Sequence, residues 1–440
     1  MNIDHAARRE RIARALALTN EILLAGAGHP VPRPELSDQQ LPFVAHQEYY
    51  YLTGIADAAG AVIAFDPQSA PDGRSLGEGG WTSFVPEVTE MERVWEGREQ
   101  LPGELLGKLP AWLAARPGRP VVMLGAPVAG INFDEARTAA VREALKHARR
   151  PKEPGEIALM RACAATTAAG YAAVQPFLRP GITERRMQIE LEAEYFRHGA
   201  PRTGYDAIIG TGPNSAVFHG SPSHRVAQEG DFILIDSGAE LDRYVIDVTR
   251  TYVAGTPTAF QRDLYQAVLS AQVRAIERCR PGAEWKELHF SAAVELIGGL
   301  VAMGVMKGDP ASLVEQEAHM LFFPHGLGHM LGLGVRDAGG LEPGRTKDPR
   351  PCLRSLRMDL ILRPGYIVTV EPGLYFIPAL LNDPARREKY RGCVNWPLVE
   401  KCLGLGGDKC PGLGGVRIED NILVTAGAPE NLTAAIPKTL

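Results

Sequence analysis

The chain has 440 residues, of which 45% are hydrophobic and 22% charged, and its formal net charge is -5 at neutral pH. This length exceeds what one core usually supports, so we expect two domains in a soluble protein without a membrane span. The acidic balance and the lack of a basic run argue against a nucleic-acid-binding protein. The six cysteines form no CxxC pair, which favours reduced thiols in the cytoplasm, with oxidation of Cys402 and Cys410 as the alternative.

The first 150 residues predict a small mixed α/β domain. The stretch RRERIARALALTNEILLAG has the apolar spacing of an amphipathic helix, while AGAVIAFDP and RPVVMLGAP each contain a short apolar run typical of a buried strand. The charged, proline-containing stretch RRPKEPGE, residues 149–156, predicts a linker to a second domain over residues 155–440.

The second domain mixes predicted helices with predicted strands. Thr183 is placed to cap one helix, and Thr258 with Gln261 forms a capping box before another, which Pro281 should end. Further helices are predicted for EIALMRACAATTAAGYAAV and EWKELHFSAAVELIGGLVAMG. The strand-like runs are YDAIIGTG, DFILIDSGA, YVIDVTRTYVA, YIVTVEPGLY and VRIEDNILVT.

Two aspartates mark the first candidate site. The runs containing Asp236 and Asp247 are typical of a hairpin with its turn centred on Leu241–Asp242, which places the two carboxylates directly opposite each other. Like charges in that position repel, and both lie among aliphatic residues, where an unpaired carboxylate is costly. We therefore expect a positive partner, either Arg243 or Arg250 in a structural ion pair or, more strongly, a divalent metal ion.

Three further motifs point to the same site. Strand alternation places Arg417 and Glu419 on one face, toward a polar centre, and Glu371 ends an apolar strand directly before a proline. His325 and His329 stand four residues apart, but the surrounding proline and glycines disfavour a helix. One histidine can therefore bind a metal while the other contacts substrate.

Four acids beside apolar strands, with one or two histidines, are the ligand set of a dinuclear metal site. Two divalent ions about 3.5 to 4 Å apart can ionise a bridging water molecule and stabilise a tetrahedral intermediate. One imidazole among oxygen ligands favours manganese, iron or cobalt, with zinc as an alternative.

In chain order, the motifs IDSG, DVTRT, HGLGH, VEPGLY and RIED resemble those of the pita-bread metallopeptidases, and among them the Xaa-Pro peptidases, aminopeptidase P and prolidase. The resemblance covers residues 155–440 and implies a curved antiparallel sheet covered by helices, with two divalent metal ions. HQEYYYLTGI and AGAVIAFDP resemble the N-terminal domain of this family. VWEGRE, around Trp95, resembles a region that helps line the substrate entrance in oligomers, so a homodimer or homotetramer is expected.

The resemblance also implies roles for individual residues. Asp236 would bind one metal ion, His329 and Glu371 would bind the second, and Asp247 and Glu419 would bridge both. Glu371 would also accept a proton, His219 and His325 would contact substrate, and Arg417 would brace the site, beside Tyr375. The alternatives are a solvated loop histidine for His219 and a simple ion pair with Glu419 for Arg417.

Arg336 departs from the family pattern, because close relatives usually carry a histidine at this position. Arginine donates hydrogen bonds but does not titrate near neutral pH. It would therefore stabilise the tetrahedral intermediate, bind a substrate carboxylate through two hydrogen bonds, or abolish turnover. Since arginine is always charged, we expect an acidic neighbour, and Asp337 is the nearest in sequence.

The resemblance implies metal-dependent hydrolysis of short peptides between an N-terminal residue and a following proline. The N-terminal domain favours aminopeptidase P, whereas EPGLYFIPALL and the insert before GGVRIED are more similar to prolidase. A methionine aminopeptidase usually lacks such an N-terminal domain, and a creatinase-like hydrolase dispenses with the metals. A non-catalytic pita-bread module would have lost ligands that this chain retains.

Overall fold

The computed structural model describes residues 3–34, 40–69, 80–404 and 412–440. The chain separates into two compact units, divided in sequence between Arg149 and Arg150. Cys410 lies outside the described residues, and Cys402 is a free thiol.

The elements of the N-terminal unit are α1 (His5–Leu16), β1 (Ile22–Gly26), α2 (Gln47–Thr53), β2 (Val62–Phe65), β3 (Trp81–Val85), α3 (Glu90–Glu96), β4 (Glu104–Leu105), α4 (Leu109–Ala114), β5 (Val121–Gly125) and α5 (Glu135–Arg149). The strands form a mixed sheet with the order β4-β3-β2-β1-β5, in which β1 pairs parallel with β5 and antiparallel with β2.

The first predicted helix is too long. Helix α1 ends at Leu16, followed by Ala17 in a left-handed conformation with φ of 47°. The ILLAG segment at the end of the predicted helix is instead the buried strand β1. A short apolar run fits either element, and pairing with β2 and β5 on both sides decides for the strand.

The second unit holds helices against several small, mostly antiparallel sheets. Its helices are α6 (Pro154–Val174), α7 (Glu184–Arg197), α8 (Ala259–Glu277), α9 (Trp285–Ala302), α10 (Pro310–Glu315), α11 (Pro378–Leu381), α12 (Pro384–Lys389) and α13 (Trp396–Cys402). Its strands are β6 (Arg202–Thr203), β7 (Ile208–Thr211), β8 (Phe232–Asp236), β9 (Ala239–Leu241), β10 (Tyr244–Val245), β11 (Thr249–Val253), β12 (Gly340–Leu341), β13 (Met358–Asp359), β14 (Ile367–Val370), β15 (Gly373–Tyr375), β16 (Gly415–Arg417), β17 (Asp420–Leu423) and β18 (Glu430–Asn431).

The predicted helix starts are confirmed by their caps. The Thr183 side chain accepts a hydrogen bond from the Arg186 amide at 3.1 Å, and Thr258 and Gln261 form the reciprocal capping box of α8. Helix α8 ends at Glu277, so it stops before the proline expected to end it.

Helix α6, taken on to Phe177, is long and apolar enough to cross a membrane by length and composition alone. Half of its apolar window is buried inside the fold, where Leu159, Met160 and Tyr171 belong to the core. Core helices of globular proteins pass the same test, so this helix is only weak evidence for a membrane span.

The register of the central hairpin differs from the prediction by one residue at the turn. Strand β8 pairs with β11 so that Asp236 faces Thr249, not Asp247, and Leu241 faces Tyr244. The turn is therefore centred on Asp242 and Arg243, whose φ angles of 45° and 71° are those of a two-residue hairpin turn with both residues left-handed.

A close approach between two backbone segments interrupts both long strands of the hairpin. A Cβ atom on Gly238 would lie 1.6 Å from the carbonyl oxygen of Ile246, so only glycine fits between β8 and β9. The interruption leaves Asp247 outside the ladder, in the connection between β10 and β11. Its carboxylate is thereby free to turn toward Asp236 from a different direction.

The stretch predicted as a linker is packed into the second unit. Arg150 and Lys152 are 1% and 5% exposed. The Arg150 guanidinium donates to the carbonyl oxygens of Ala338 and Gly339, both at 3.1 Å. Charge and proline content predicted a linker, but the Arg150 side chain donates to carbonyl groups nearly 190 residues away in the sequence.

Candidate metal centre

Tyr205 joins the first two predicted ligands. Its hydroxyl group lies 2.7 Å from Asp236 Oδ1 and 2.5 Å from Asp247 Oδ1, and it can donate its one proton to either. Asp236 ends strand β8, while the Asp247 amide is held by the side chain of Asn421 at 2.9 Å. The two carboxylates thus meet across a hydroxyl group, although the strand register does not pair them.

His329 presents one ring nitrogen to this pair. Its Nδ1 lies 3.0 Å from the carbonyl oxygen of Met330, and its Nε2 lies 3.5 Å from Asp247 Oδ2 and 3.7 Å from Glu371 Oε1. A proton held on Nδ1 by the carbonyl leaves the Nε2 lone pair directed at the carboxylates. This is the arrangement of a histidine prepared to bind a metal.

Glu371 and Glu419 complete the acidic set. The Glu371 amide donates to the carbonyl oxygen of Leu327 at 2.8 Å, which fixes the end of β14 beside the histidine loop. Glu419 accepts a hydrogen bond from the Thr249 hydroxyl at 2.7 Å. Ligand atoms of Asp247, His329 and Glu419 all lie within 4.8 Å of one another, and all three residues are buried.

Arg417 braces the opposite side of the site. Its guanidinium donates to Asp236 Oδ2, to the Tyr375 hydroxyl at 3.0 Å and to Thr249 Oγ1 at 3.0 Å. Tyr375 in turn lies 2.9 Å from His325 Nε2. The alternative of a simple ion pair with Glu419 is therefore wrong, because the carboxylate that Arg417 contacts belongs to Asp236.

The side chains around the buried carboxylates supply too little positive charge to keep them ionised. Burial, reinforced by the charge of Asp247, raises the pKa of Asp236 to about 6 despite the opposing effect of Arg417. Burial and the same acids raise the pKa of Glu371 to about 7 and that of Glu419 well above its usual range. Burial alone would lower the pKa of His329, but Asp247 and Glu371 raise it.

These residues fit a divalent metal ion. Buried carboxylate oxygens and a neutral imidazole nitrogen, gathered at a few ångströms from one another, are ligands for a hard or borderline cation. Such a cation would relieve the repulsion that raises the carboxylate pKa values. Buried acids of a purely structural network would instead be paired one to one with arginine or lysine.

All the predicted site residues line one cavity of about 620 Å³: His219, Asp236, Asp247, His325, His329, Arg336, Glu371, Arg417 and Glu419. His219 is exposed at its wall. Burial, then the charge of Arg417, lowers the pKa of His325 to about 3, so its imidazole is neutral.

The expected pairing of Arg336 with Asp337 is wrong. The Asp337 carboxylate lies 3.0 Å from the ammonium group of Lys152, and both side chains are buried. Arg336 lies exposed at the cavity wall, and its side chain has no hydrogen bond or ion pair within the described ranges. Lys152, which comes from the segment predicted as a linker, is the partner of Asp337 in place of Arg336.

Sequence reasoning missed Tyr205, Asp206, Phe218 and Arg357, which also line the cavity. Tyr205 and Asp206 directly precede an apolar run, where a polar pair is unremarkable by itself. Tyr205 could have been found from its position in the sequence. It is a single tyrosine just before β7, and β7 pairs with β8, the strand that ends in Asp236. Arg357 lies in a stretch with several arginines and offers no such signal.

The fold and the ligand set together define a metallopeptidase. The model of metallopeptidase family M24 matches residues 158–426, and that of the aminopeptidase P N-terminal domain matches residues 5–110. The chain therefore belongs to metallopeptidase family M24, which confirms the predicted family and its pita-bread fold in the second unit.

Similar proteins carry consistent names. A probable Xaa-Pro aminopeptidase of Botryotinia fuckeliana is 31% identical over 91% of this chain and 87% of its own length. The Xaa-Pro aminopeptidase of Escherichia coli is 35% identical over 65% of this chain and 57% of its own length. The structure of Pseudomonas aeruginosa aminopeptidase PepP is 26% identical in sequence and has a TM-score of 0.77. The match covers 100% of this chain and 96% of that protein's chain.

Proposed function

We propose that this protein is a metal-dependent Xaa-Pro aminopeptidase, which hydrolyses the bond between an N-terminal residue and a following proline. The observation that carries the proposal is that Asp236, Asp247, His329, Glu371 and Glu419 line one peptide-sized cavity. Ligand atoms of Asp247, His329 and Glu419 lie within 4.8 Å of one another there. The names of the similar proteins and the match to the aminopeptidase P N-terminal domain support this description over prolidase.

The four carboxylates and one imidazole would hold two divalent ions, and we propose manganese as the native metal, with cobalt, iron or zinc as alternatives. Four negative ligands balance two divalent charges. When bound, the ions supply a water molecule of lowered pKa and polarise the scissile carbonyl group. The structure of a Zn-substituted form of Escherichia coli aminopeptidase P has been solved in complex with product, which supports a site that accepts more than one kind of divalent metal.

The remaining side chains orient the substrate and move protons. Glu371 reaches the cavity from the end of β14, where it can accept a proton from the attacking water and return it to the proline nitrogen. Neutral His325 lines the cavity with Nε2 held by the Tyr375 hydroxyl and Nδ1 held by the Gly326 carbonyl at 2.8 Å. It would contact the substrate through its ring, and would hydrogen-bond it only by releasing Tyr375. Exposed His219, which lines the same cavity, would also contact the bound peptide.

The assembly and compartment are also proposals. Helix α3 exposes Met91, Val94 and Trp95 at 71%, 74% and 80%, an apolar stripe that supports a homodimer or homotetramer. The free cysteines of the described residues support a cytoplasmic location.

The test is hydrolysis of Ala-Pro-Ala by metal-loaded and chelator-treated protein, followed by mass spectrometry. Release of alanine that requires added Mn²⁺ is the expected result, with Ala-Ala-Ala as the control peptide that is not cut. Glu371→Gln should lose cleavage by at least about a hundredfold, the usual effect of removing a general base. Protein that binds metal but cuts neither peptide would contradict the proposed activity.

A further inference from the structure

Glu184 is a buried carboxylate outside the metal centre, at the first position of helix α7. One of its oxygens accepts hydrogen bonds from the Thr211 amide at 2.8 Å, the Thr211 hydroxyl at 2.9 Å and the Asn214 side chain at 3.0 Å. The other accepts from the Ser223 amide at 2.9 Å and the Ser223 hydroxyl at 2.6 Å. Because Thr183 already caps α7, the helix itself does not account for these five hydrogen bonds.

The five donors belong to the two ends of one loop. Thr211 ends strand β7 and Asn214 follows shortly after it, whereas Ser223 stands at the far end of residues 212–222. Loops whose ends are held close together are frequent at functional sites. The segment between these ends contributes four residues to the wall of the cavity that holds the metal ligands: Phe218, His219, Gly220 and Ser221.

This cavity-lining segment has little support from its own backbone. Its one backbone hydrogen bond within the described ranges runs from the Gly220 amide to the Val217 carbonyl at 3.4 Å, which is long for such a bond. The ring of Phe218 packs edge-on against the rings of His325 and Tyr375, at centroid distances of 5.4 and 4.7 Å. A loop without regular hydrogen bonding takes its position from its ends, so the shared carboxylate fixes where the loop stands.

The Glu184 carboxylate is ionised in the folded protein at neutral pH. Burial raises its pKa, but the hydrogen bonds from Ser223, Thr211 and Asn214 outweigh burial, and the net shift is downward. An ionised carboxylate presents acceptors only, so both oxygens can hold donors at the same time. A neutral amide in this place would carry donors on one side and could accept from one end of the loop only.

Each end of the loop also has contacts that do not involve this carboxylate. The Ser215 hydroxyl accepts from the Gly415 amide at 2.8 Å, which ties the first end to β16. Just beyond the second end, the Arg225 guanidinium donates to Thr211 Oγ1 at 2.5 Å and to Asp231 Oδ2 at 2.6 Å. Loss of the carboxylate should therefore loosen the loop without unfolding the protein.

We propose that Glu184 is a positioning residue, which holds both ends of this loop and thereby places His219 against the bound peptide. The proposal rests on the peptidase activity proposed above. Glu184 is neither one of the proposed metal ligands nor one of the residues that line the cavity, so its effect on the reaction passes through the loop.

The first test is Glu184→Gln, assayed with Ala-Pro-Ala and Mn²⁺. Its kcat/KM should fall about tenfold to a hundredfold, the order expected when a group that binds substrate is displaced by about an ångström. The loss should lie mainly in KM, because the loop contacts the peptide but neither holds metal nor moves protons. The Mn²⁺ affinity, measured by titration calorimetry, should stay at the native value.

The matched control is Glu342→Gln, which changes another buried glutamate of the same unit, one that accepts from the Ile361 amide at 3.1 Å and does not line the cavity. It should keep the native kcat/KM. Ser223→Ala removes one of the five donors and leaves the carboxylate in place. It should raise KM in the same direction as Glu184→Gln, by about twofold to tenfold, the usual effect of one hydrogen bond.

A double-mutant cycle separates positioning from a general structural role. His219→Ala should lower kcat/KM by itself. In that background Glu184→Gln should cost less than about threefold more, because the group that it positions is already gone. Losses that multiply fully in the double variant would overturn the proposal, and so would a native KM in Glu184→Gln or a weakened Mn²⁺ affinity in that variant.

Cleavage by chymotrypsin after Phe218, identified by mass spectrometry, reports on the loop without any turnover. The rate should rise about tenfold or more in Glu184→Gln relative to the native protein and to Glu342→Gln, because local opening exposes the bond. An unchanged rate would overturn the proposal even if the peptidase activity is found. If the native protein cuts no peptide but the loop opens as expected, the proposed activity fails and the hold of Glu184 on the loop stands.

Discussion

Glu419 and Asp420 are adjacent in the chain, yet their carboxylates have opposite electrostatic surroundings. Asp420 lies 2.8 Å from Arg250 and 2.7 Å from Lys438, and these cations lower its pKa although burial opposes them. Glu419 is equally buried, and the nearby charge of Asp247 adds to burial in raising its pKa well above the usual range. One acid is therefore satisfied by the protein, and its neighbour needs a cation from outside.

Glu419→Gln should stabilise the metal-free protein by about 1 to 3 kcal/mol at neutral pH, because it removes a carboxylate whose ionised form the fold disfavours. The same change should abolish stabilisation by Mn²⁺, which in the native protein amounts to about 2.7 kcal/mol at a hundred times the Kd. Urea unfolding with EDTA or with Mn²⁺ measures both effects.

Asp420→Asn is the matched control, since it breaks a buried ion pair and should cost about 3 to 5 kcal/mol in either condition. Retention of a full Mn²⁺ effect in Glu419→Gln would show that Glu419 is not a ligand.

Tyr205→Phe removes the hydroxyl group that contacts both Asp236 and Asp247. Loss of such a partner of the ligands should weaken metal affinity by about tenfold to a hundredfold without unfolding the protein. Titration calorimetry with Mn²⁺ gives the affinity directly. Tyr252→Phe, whose hydroxyl contacts Gln175, should leave it unchanged, and an equal loss in both variants would rule out a specific role for Tyr205.

Lys152→Met should lower the free energy of unfolding by about 3 to 5 kcal/mol, because it removes the cation from a fully buried ion pair with Asp337. The comparison is Lys286→Met, where a partly exposed ammonium lies 3.6 Å from Asp348 and the loss should stay below about 1 kcal/mol. Chemical denaturation of the two variants at one pH decides the matter. Similar small losses in the two variants would mean that Lys152 and Asp337 do not form a buried ion pair.

His289 should make the protein sensitive to acid. Its ring is 1% exposed and lies 6.2 Å from that of His319; burial first, then His319, lowers the pKa of His289 to about 3. In the unfolded chain this ring is protonated below about pH 6.5, whereas in the folded chain it is protonated only below about pH 3. Stability should therefore fall with decreasing pH across that interval, by about 1.4 kcal/mol per pH unit from this residue.

His289→Leu should remove its own share of this slope, about 1.4 kcal/mol per pH unit, while the buried His319 and His325, with pKa values lowered to about 4 and about 3, keep theirs. Stability at pH 7.5, where the native ring is neutral, should change little. Unfolding curves from pH 4.5 to 7.5 measure the slope. The exposed His224 offers a control, because His224→Leu should keep the native slope. An unchanged slope in His289→Leu would place the acid sensitivity elsewhere.

Local sequence was enough for features with a local cause. Thr183 and Thr258 cap their helices because a side-chain oxygen three residues before an amide can satisfy it without any distant partner. Alternation along a strand likewise placed Arg417 and Glu419 at the cavity while Val416 and Ile418 joined the core. The sequence predicts helix for the ILLAG strand because so short an apolar run carries no periodicity of its own.

The sequence by itself determined which acids and histidines are out of place beside apolar strands, and their order identified the family. Only the tertiary structure decided how they meet. The register of Asp236 depends on the left-handed turn at Asp242. The link between Asp236 and Asp247 depends on the hydroxyl group of Tyr205, which lies about 30 residues before the first and about 40 before the second. The partner of Asp337 is Lys152, which lies in the stretch predicted as a linker. Such choices are made by long-range packing and by competition among charges, which no short window of sequence contains.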